Sequence, residues 1–221
     1  AYHGDSSACL LKDGVVICAT EEERFTRVKH WAGFPSESIK FCLEDEGISI
    51  NKIDYITISR DPKANFYKKI IHSLRYSVSL SNIWARFMSS KKVSSVEAEL
   101  SGALELPQSS IKAKIFNIEH HRSHLASSFF ASRFKESAIL SIDGFGDFTS
   151  TMTAVGKGNK IKVLDMVNYP HSLGIFYETA THFLGFSNFG DEYKVMGLSS
   201  YGKPKYINEL FKIIYKTDDG F

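Results

Sequence analysis

The 221-residue sequence predicts an internally duplicated α/β fold, and three observations carry that expectation. Ala138–Ile142 reads as an apolar strand, Asp143-Gly144-Phe145-Gly146 as a turn, Thr149–Val155 as an alternating strand, Gly156–Asn159 as a second turn and Ile161–Met166 as a third strand. The N-terminus shows the same order around Asp5 and Asp13-Gly14. Each copy then passes through a proline into a helix, Pro35 into Ile39–Leu43 and Pro170 into Leu173–Leu184. The copies lie too far apart for a solenoid repeat. They suit two halves of one domain, each a hairpin-rich sheet covered by helices, with both acid-bearing turns facing a shared cleft.

The remaining elements follow in order. Ala8–Leu11 and Val15–Thr20 flank Lys12-Asp13-Gly14, an Asp-Gly hairpin signal. Glu21–His30 is dense in charge. Ser36 is the expected N-cap of a helix whose Ile39, Cys42 and Leu43 share a face and which Gly47 ends. Tyr55–Ser59 reads as a strand closed by Asp61-Pro62. From Phe66 to about Gly102 the pattern is helical but irregular. Its Lys68, Lys69, Arg75, Arg86, Lys91 and Lys92 read as the solvated side of amphipathic helices, with a phosphate-seeking patch as the alternative. Ile111–Ile118 is a further strand and Glu119–Phe134 a helix.

Composition narrows the function classes. A hydrophobic fraction of 43% and a charged fraction of 24% are those of a globular protein. No apolar run reaches the roughly 18 residues of a membrane span, and Ala1–Asp5 has no signal-peptide pattern. A net charge of +2 gives no argument for nucleic acid. The cysteines Cys9, Cys18 and Cys42 have no CxxC spacing. Cys9 and Cys18 read as small buried hydrophobes, which favours a reducing cytoplasm.

Four segments offer chemistry. In Glu119-His120-His121-Arg122-Ser123-His124, His120 and His124 are four apart, so on a helix their imidazoles share a face and suit one metal ion. Small Ser127, Ser128 and Ala131 continue that face, while Leu125 and Phe129 lie opposite, toward a core. Asp143, followed by Gly144 and Gly146, can set a carboxylate beside a metal or phosphate with backbone N–H groups close by; the plainer alternative is that it caps its turn. Two histidines and a carboxylate form a common set for a divalent transition metal. In Gly190–Leu198, Asp191 can accept a proton and Lys194 can hold a phosphate or acyl oxygen between flanking glycines, Gly197 among them. The same segment also reads as a surface turn with a short packed helix. His3-Gly4-Asp5-Ser6-Ser7 is a polar cluster that either contacts phosphate or satisfies its own turn.

Together these segments resemble the carbamoyltransferase family of nodulation-factor and antibiotic-tailoring enzymes. The matching stretches are Tyr2–Leu10, Glu21–His30, Glu119–Ser127, Asp143–Asp147, Pro170–Gly174 and Gly190–Gly202 with Lys203-Pro204, in the family's order. The resemblance implies an actin/sugar-kinase-like (ribonuclease H-like) fold, with residues 1–137 as a first subdomain and 138–221 as the start of a second. It implies that carbamoyl phosphate and ATP yield carbamoyl-adenylate in a separate C-terminal domain, and that the present domain passes the carbamoyl group to a hydroxyl of a small acceptor. It also implies His120, His124 and Asp143 as metal ligands, often for iron, with His121 outside the set. Asp191 and His3 are the candidate bases, and Gly144, Gly146, Lys194 and Gly197 the candidate contacts to the adenylate. Some members place the first histidine directly before the acid; here Gly4 separates His3 from Asp5. The second half of the fold and the adenylate-forming domain are expected beyond Phe221.

Two other readings compete. A metal-dependent hydrolase would use the same ligands, but no glutamate lies between the histidines to act as base. A non-catalytic, nucleotide-binding actin-like module would need no metal at all.

Overall fold

A computed structural model describes residues 4–75 and 96–214; His3, Arg86, Lys91 and Lys92 lie outside the described residues. The described chain is mixed α/β and divides into two compact units, Ala1–His120 and His121–Phe221.

In the first unit, β1 (Ser7–Lys12) and β2 (Val15–Glu21) form an antiparallel hairpin. Asp13 (φ 52°) and Gly14 (φ 82°) supply the left-handed turn that the Asp-Gly pair predicts. Helix α1 (Glu23–Thr26) follows, then α2 (Ser36–Asp45), which packs on both strands. Ser36 is not the N-cap: it is the first helical residue, and Pro35 occupies the capping position without a side-chain bond. The cap comes instead from Glu22, only 2% exposed, whose carboxylate accepts from the Glu37 N–H (3.0 Å), the Ser38 N–H (2.8 Å) and the Ser38 hydroxyl (2.8 Å). A charge placed on the orphan N–H groups of a first turn satisfies them and complements the helix dipole. Glu22→Ala should therefore cost the protein about 1–3 kcal/mol in chemical denaturation. Glu22→Gln, which keeps one acceptor oxygen, should lose less.

Cys18 and Cys42 are buried where α2 meets the hairpin, but Cys9 is exposed, because its alternate position on β1 faces away from α2. Burial first, then the neighbouring Cys18 thiol, push the Cys42 thiol up to about 12, which leaves it an inert core side chain. Farther on, β3 (Tyr55–Ile58) pairs in parallel with β4 (Lys114–Asn117), shorter than the expected Ile111–Ile118 because Gln108–Ser110 forms a 3-10 turn before it. Helices α3 (Phe66–Arg75) and α4 (Val96–Leu104) lie in the connection.

The second unit is built on a meander of β5 (Glu136–Gly146), β6 (Thr149–Lys157) and β7 (Lys160–Asn168), all antiparallel. Helix α5 (His120–Phe130) begins at the unit boundary. It lays Leu125 (0% exposed) and Phe129 on Ile139, Met152 and Ala154 of the sheet, and it stops short of the expected Phe134. Helices α6 (Leu173–Phe183), α7 (Glu192–Ser199) and α8 (Ile207–Leu210) complete the unit.

One expectation is overturned here. Asp143-Gly144-Phe145-Gly146 is not the turn; β5 continues through it to Gly146, and the chain reverses at Asp147 (φ 52°) and Phe148 (φ 80°). The β5–β6 register breaks between Ile142 and Gly146, a bulge that frees this stretch from its partner strand. The Ser172 hydroxyl takes over the exposed carbonyls, donating to Gly144 O (2.8 Å) and Asp143 O (3.2 Å). Among the described residues, no helix is long and apolar enough to cross a membrane.

Candidate metal centre

Helical spacing fixes the first two side chains. His120 and His124 stand one turn apart on α5, and the burial of Leu125 and Phe129 on the sheet turns His124 outward, where it is half exposed. Asp143 on the bulged end of β5 completes the cluster. One ligand atom from each of His120, His124 and Asp143 lies within 4.8 Å of the other two, and His124 Nε2 stands 3.4 Å from Asp143 Oδ2. The Nδ1 of His120 is 3.3 Å from the Ser59 carbonyl. A carbonyl only accepts, so this bond protonates Nδ1 and leaves Nε2 as the electron-pair donor, an arrangement typical of metal-bound imidazoles. Two imidazoles and a carboxylate at this spacing fit a divalent transition ion.

His121 is excluded from the cluster. It is 0% exposed, with Nε2 3.0 Å from the Thr149 carbonyl and Nδ1 2.8 Å from the Ser141 hydroxyl. The carbonyl requires a proton on Nε2, and the buried ring is tied to β5 through Ser141 and to β6 through Thr149. Its role is to seat the start of α5 on the sheet.

Asp143 is held from two sides. Its Oδ1 accepts from the Gly144 N–H at 2.6 Å, so that N–H is already engaged rather than open to a phosphate. Ser172, the N-cap of α6, accepts from the Ile175 N–H at 3.1 Å while its hydroxyl binds the Asp143 and Gly144 carbonyls. Gly174 lets the helix approach: a Cβ there would sit 2.5 Å from the Asp143 carbonyl carbon and oxygen and from Gly144 N. Gly146 is buried at the end of β5, paired with Thr149.

A second polar group lies at the start of α7. Asp191, 5% exposed, binds Lys194 Nζ through Oδ1 at 2.6 Å, and through Oδ2 accepts from the Asn188 backbone (3.2 Å) and side-chain amide (3.3 Å). The Lys194 ammonium, then the Asn188 amides, hold the Asp191 carboxyl below the usual carboxylate range, and Asp191 in turn raises Lys194. Tyr177 of α6 ties this turn down by donating to the Glu192 carbonyl (3.2 Å). Gly197 lies exposed within α7.

Several residues that set this geometry carry no motif. Glu22 and Ser141 find their partners 15 or more residues away. Ser172 could have been found, since a serine just before an apolar helical run is an N-cap signal. Gly174, a glycine in the first turn of a helix, marks close approach once the fold is known.

Over 215 residues, the chain is 38% identical to an uncharacterized protein of Synechocystis sp., covering 94% of this chain and 35% of that one. It is 37% identical over 215 residues to Nodulation protein NolNO of Sinorhizobium fredii, covering 97% and 30%. It is 45% identical over 104 residues to Nodulation protein NolO of Bradyrhizobium diazoefficiens, covering 46% and 18%. The chain thus spans about a third of the length of the first two. A family model described as "Carbamoyltransferase N-terminus" matches residues 1–221, and the chain belongs to that family.

Proposed function

We propose that this chain is the acceptor-side domain of an O-carbamoyltransferase. In this reading carbamoyl phosphate and ATP are converted to carbamoyl-adenylate by a C-terminal domain, and the present domain moves the carbamoyl group to a hydroxyl of a small molecule. A cytoplasmic setting belongs to the same reading, supported by the free thiols of Cys9, Cys18 and Cys42. The observation that carries the reading is the family match over residues 1–221 together with the His120–His124–Asp143 cluster. The two-half actin-like architecture, with 1–137 and 138–221 as its subdomains, belongs to the same proposal. Its support is the recurrence of a hairpin followed by a helix, β1–β2 with α2 and β5–β6–β7 with α6.

His120, His124 and Asp143 would hold the metal, iron(II) by resemblance to the family. Held there, such an ion supplies Lewis-acid polarisation of a carbonyl or phosphoryl oxygen. In this reading Lys194 binds an oxygen of the carbamoyl donor, and its ion pair with Asp191 keeps it ordered. A carboxylate held below its usual range is a weak proton acceptor, so Asp191 takes up a proton only when substrate draws Lys194 away. Gly197, exposed in α7, is the proposed adenylate contact, whereas the Gly144 N–H is engaged by Asp143 and Gly146 is buried in the sheet.

The test is to incubate full-length protein with labelled carbamoyl phosphate, ATP and a panel of hydroxylated acceptors. Label in an acceptor, with AMP and pyrophosphate released, supports the reading; label that stays in carbamate or carbamoyl phosphate sinks it. In the same assay Asp191→Asn should raise the donor KM, since it releases Lys194. A fall in kcat of about 10²–10⁴-fold at constant KM would make Asp191 the base instead.

A further inference from the structure

Helix α3 has no part in the metal centre, and its faces are reversed for a helix on a globular body. Tyr67 (81% exposed), Ile70, Ile71 (63%) and Leu74 (78%) recur at the spacing of one helical face and form a continuous apolar stripe open to solvent. Phe66, also exposed, extends the stripe by meeting the Tyr67 ring edge-on at 6.3 Å. The half-buried side is the polar one. It carries Lys69, His72 and Ser73, with Lys69 Nζ donating to the Pro62 carbonyl at 3.2 Å and the Ser73 hydroxyl to the Lys69 carbonyl at 2.8 Å.

The charge beside the stripe has one sign. Lys68 and Arg75 are exposed and stand about 40–60° from Ile71 on an ideal helix, along one edge of the stripe. Helix α3 contains no acid, and in the sequence no Asp or Glu occurs at positions 62–96, where seven Lys or Arg do. Hydrogen bonds that these cations make within the chain leave their charge in place, and attraction to an anionic surface follows that net charge. A polynucleotide would meet the cations yet leave Ile70, Ile71 and Leu74 in water. A bilayer with anionic headgroups takes both parts at once: the apolar side chains enter the acyl boundary while the cations stay among the phosphates. With 10 residues, α3 is about half the length of a membrane span, so it can only lie in the plane of the surface.

We propose that α3 is a membrane-surface anchor that docks on anionic lipid. Tyr67, Ile70, Ile71 and Leu74 insert at the level of the headgroups, and Lys68 and Arg75 pair with lipid phosphates. So short a helix holds the surface weakly and reversibly. The inference is independent of the carbamoyl-transfer reading, whose assay contains no vesicles.

The experiment is sedimentation of full-length protein with phosphatidylcholine vesicles, with and without phosphatidylglycerol. Protein should pellet with the anionic vesicles, less so as salt is raised, and stay in the supernatant with phosphatidylcholine alone. Ile71→Glu or Leu74→Glu should lower the partition by more than about tenfold, and Lys68→Gln or Arg75→Gln by about fivefold each. The two apolar side chains are exposed, so their replacement should leave the Tm at its wild-type value. Wild-type protein that ignores anionic vesicles, or binds phosphatidylcholine equally well, overturns the proposal. So does wild-type partition in both Ile71→Glu and Leu74→Glu. Binding of a labelled single-stranded RNA without any partition to vesicles would give the cations to nucleic acid and overturn it as well.

Discussion

One divalent transition ion per full-length chain, and none after His120→Ala or His124→Ala, is the expected result of metal analysis. Each imidazole is one of the two nitrogen donors in the cluster, and either change leaves one imidazole and one carboxylate, too few ligands to hold an ion tightly. Asp143→Asn should weaken binding as well, because a neutral amide oxygen is a poorer donor to a divalent cation. Titration with cobalt(II), read by its absorption, reports occupancy without any turnover. Arg122→Ala is the proper control, since Arg122 is exposed on the same helix and outside the cluster. His121→Ala is not a neutral control. It removes a fully buried ring and leaves the Thr149 carbonyl and Ser141 hydroxyl without that partner, so its first effect is on folding, by roughly 2–4 kcal/mol. Equal occupancy in wild-type, His120→Ala and His124→Ala would show that the ion sits elsewhere.

Gly174→Ala should be nearly as damaging, although Gly174 is not a ligand. The added methyl meets backbone atoms of Asp143 and Gly144 at 2.5 Å, and backbone cannot rotate aside as a side chain would. Either α6 withdraws, pulling the Ser172 hydroxyl off the bulged carbonyls, or β5 moves and takes Asp143 with it. We expect destabilisation of about 1–3 kcal/mol and a loss of about 10–100-fold in metal affinity, the size of effect typical of disturbing the shell behind the ligands. Gly102→Ala provides the contrast. Gly102 lies within α4 with nothing near its added methyl, so that change should be neutral or slightly stabilising. Wild-type cobalt affinity in Gly174→Ala would mean that α6 does not position the carboxylate.

Local chemistry made parts of this fold legible. Asp13-Gly14 forces one turn type, and the hairpin follows from it. The four-residue spacing of His120 and His124, set against Leu125 and Phe129, gave both the outward and the inward face of α5. What stayed hidden depends on partners distant in sequence. Glycines at 144 and 146 signal a turn on local grounds, yet the strand continues because Ser172, 28 residues on, satisfies the Gly144 carbonyl. The N-cap of α2 comes from Glu22 rather than Ser36 for the same reason. The apolar segment around Cys9 suggests burial, but strand alternation sets it on the outer face of β1. His3 lies outside the described residues.

The bond between Asp143 Oδ1 and the Gly144 N–H also sets denticity. With one oxygen held by its own backbone, the carboxylate faces His124 with Oδ2 and would offer an ion that oxygen alone. Chelation by both oxygens would require breaking that bond. An ion held there would take one oxygen from Asp143 and keep its remaining positions for other ligands.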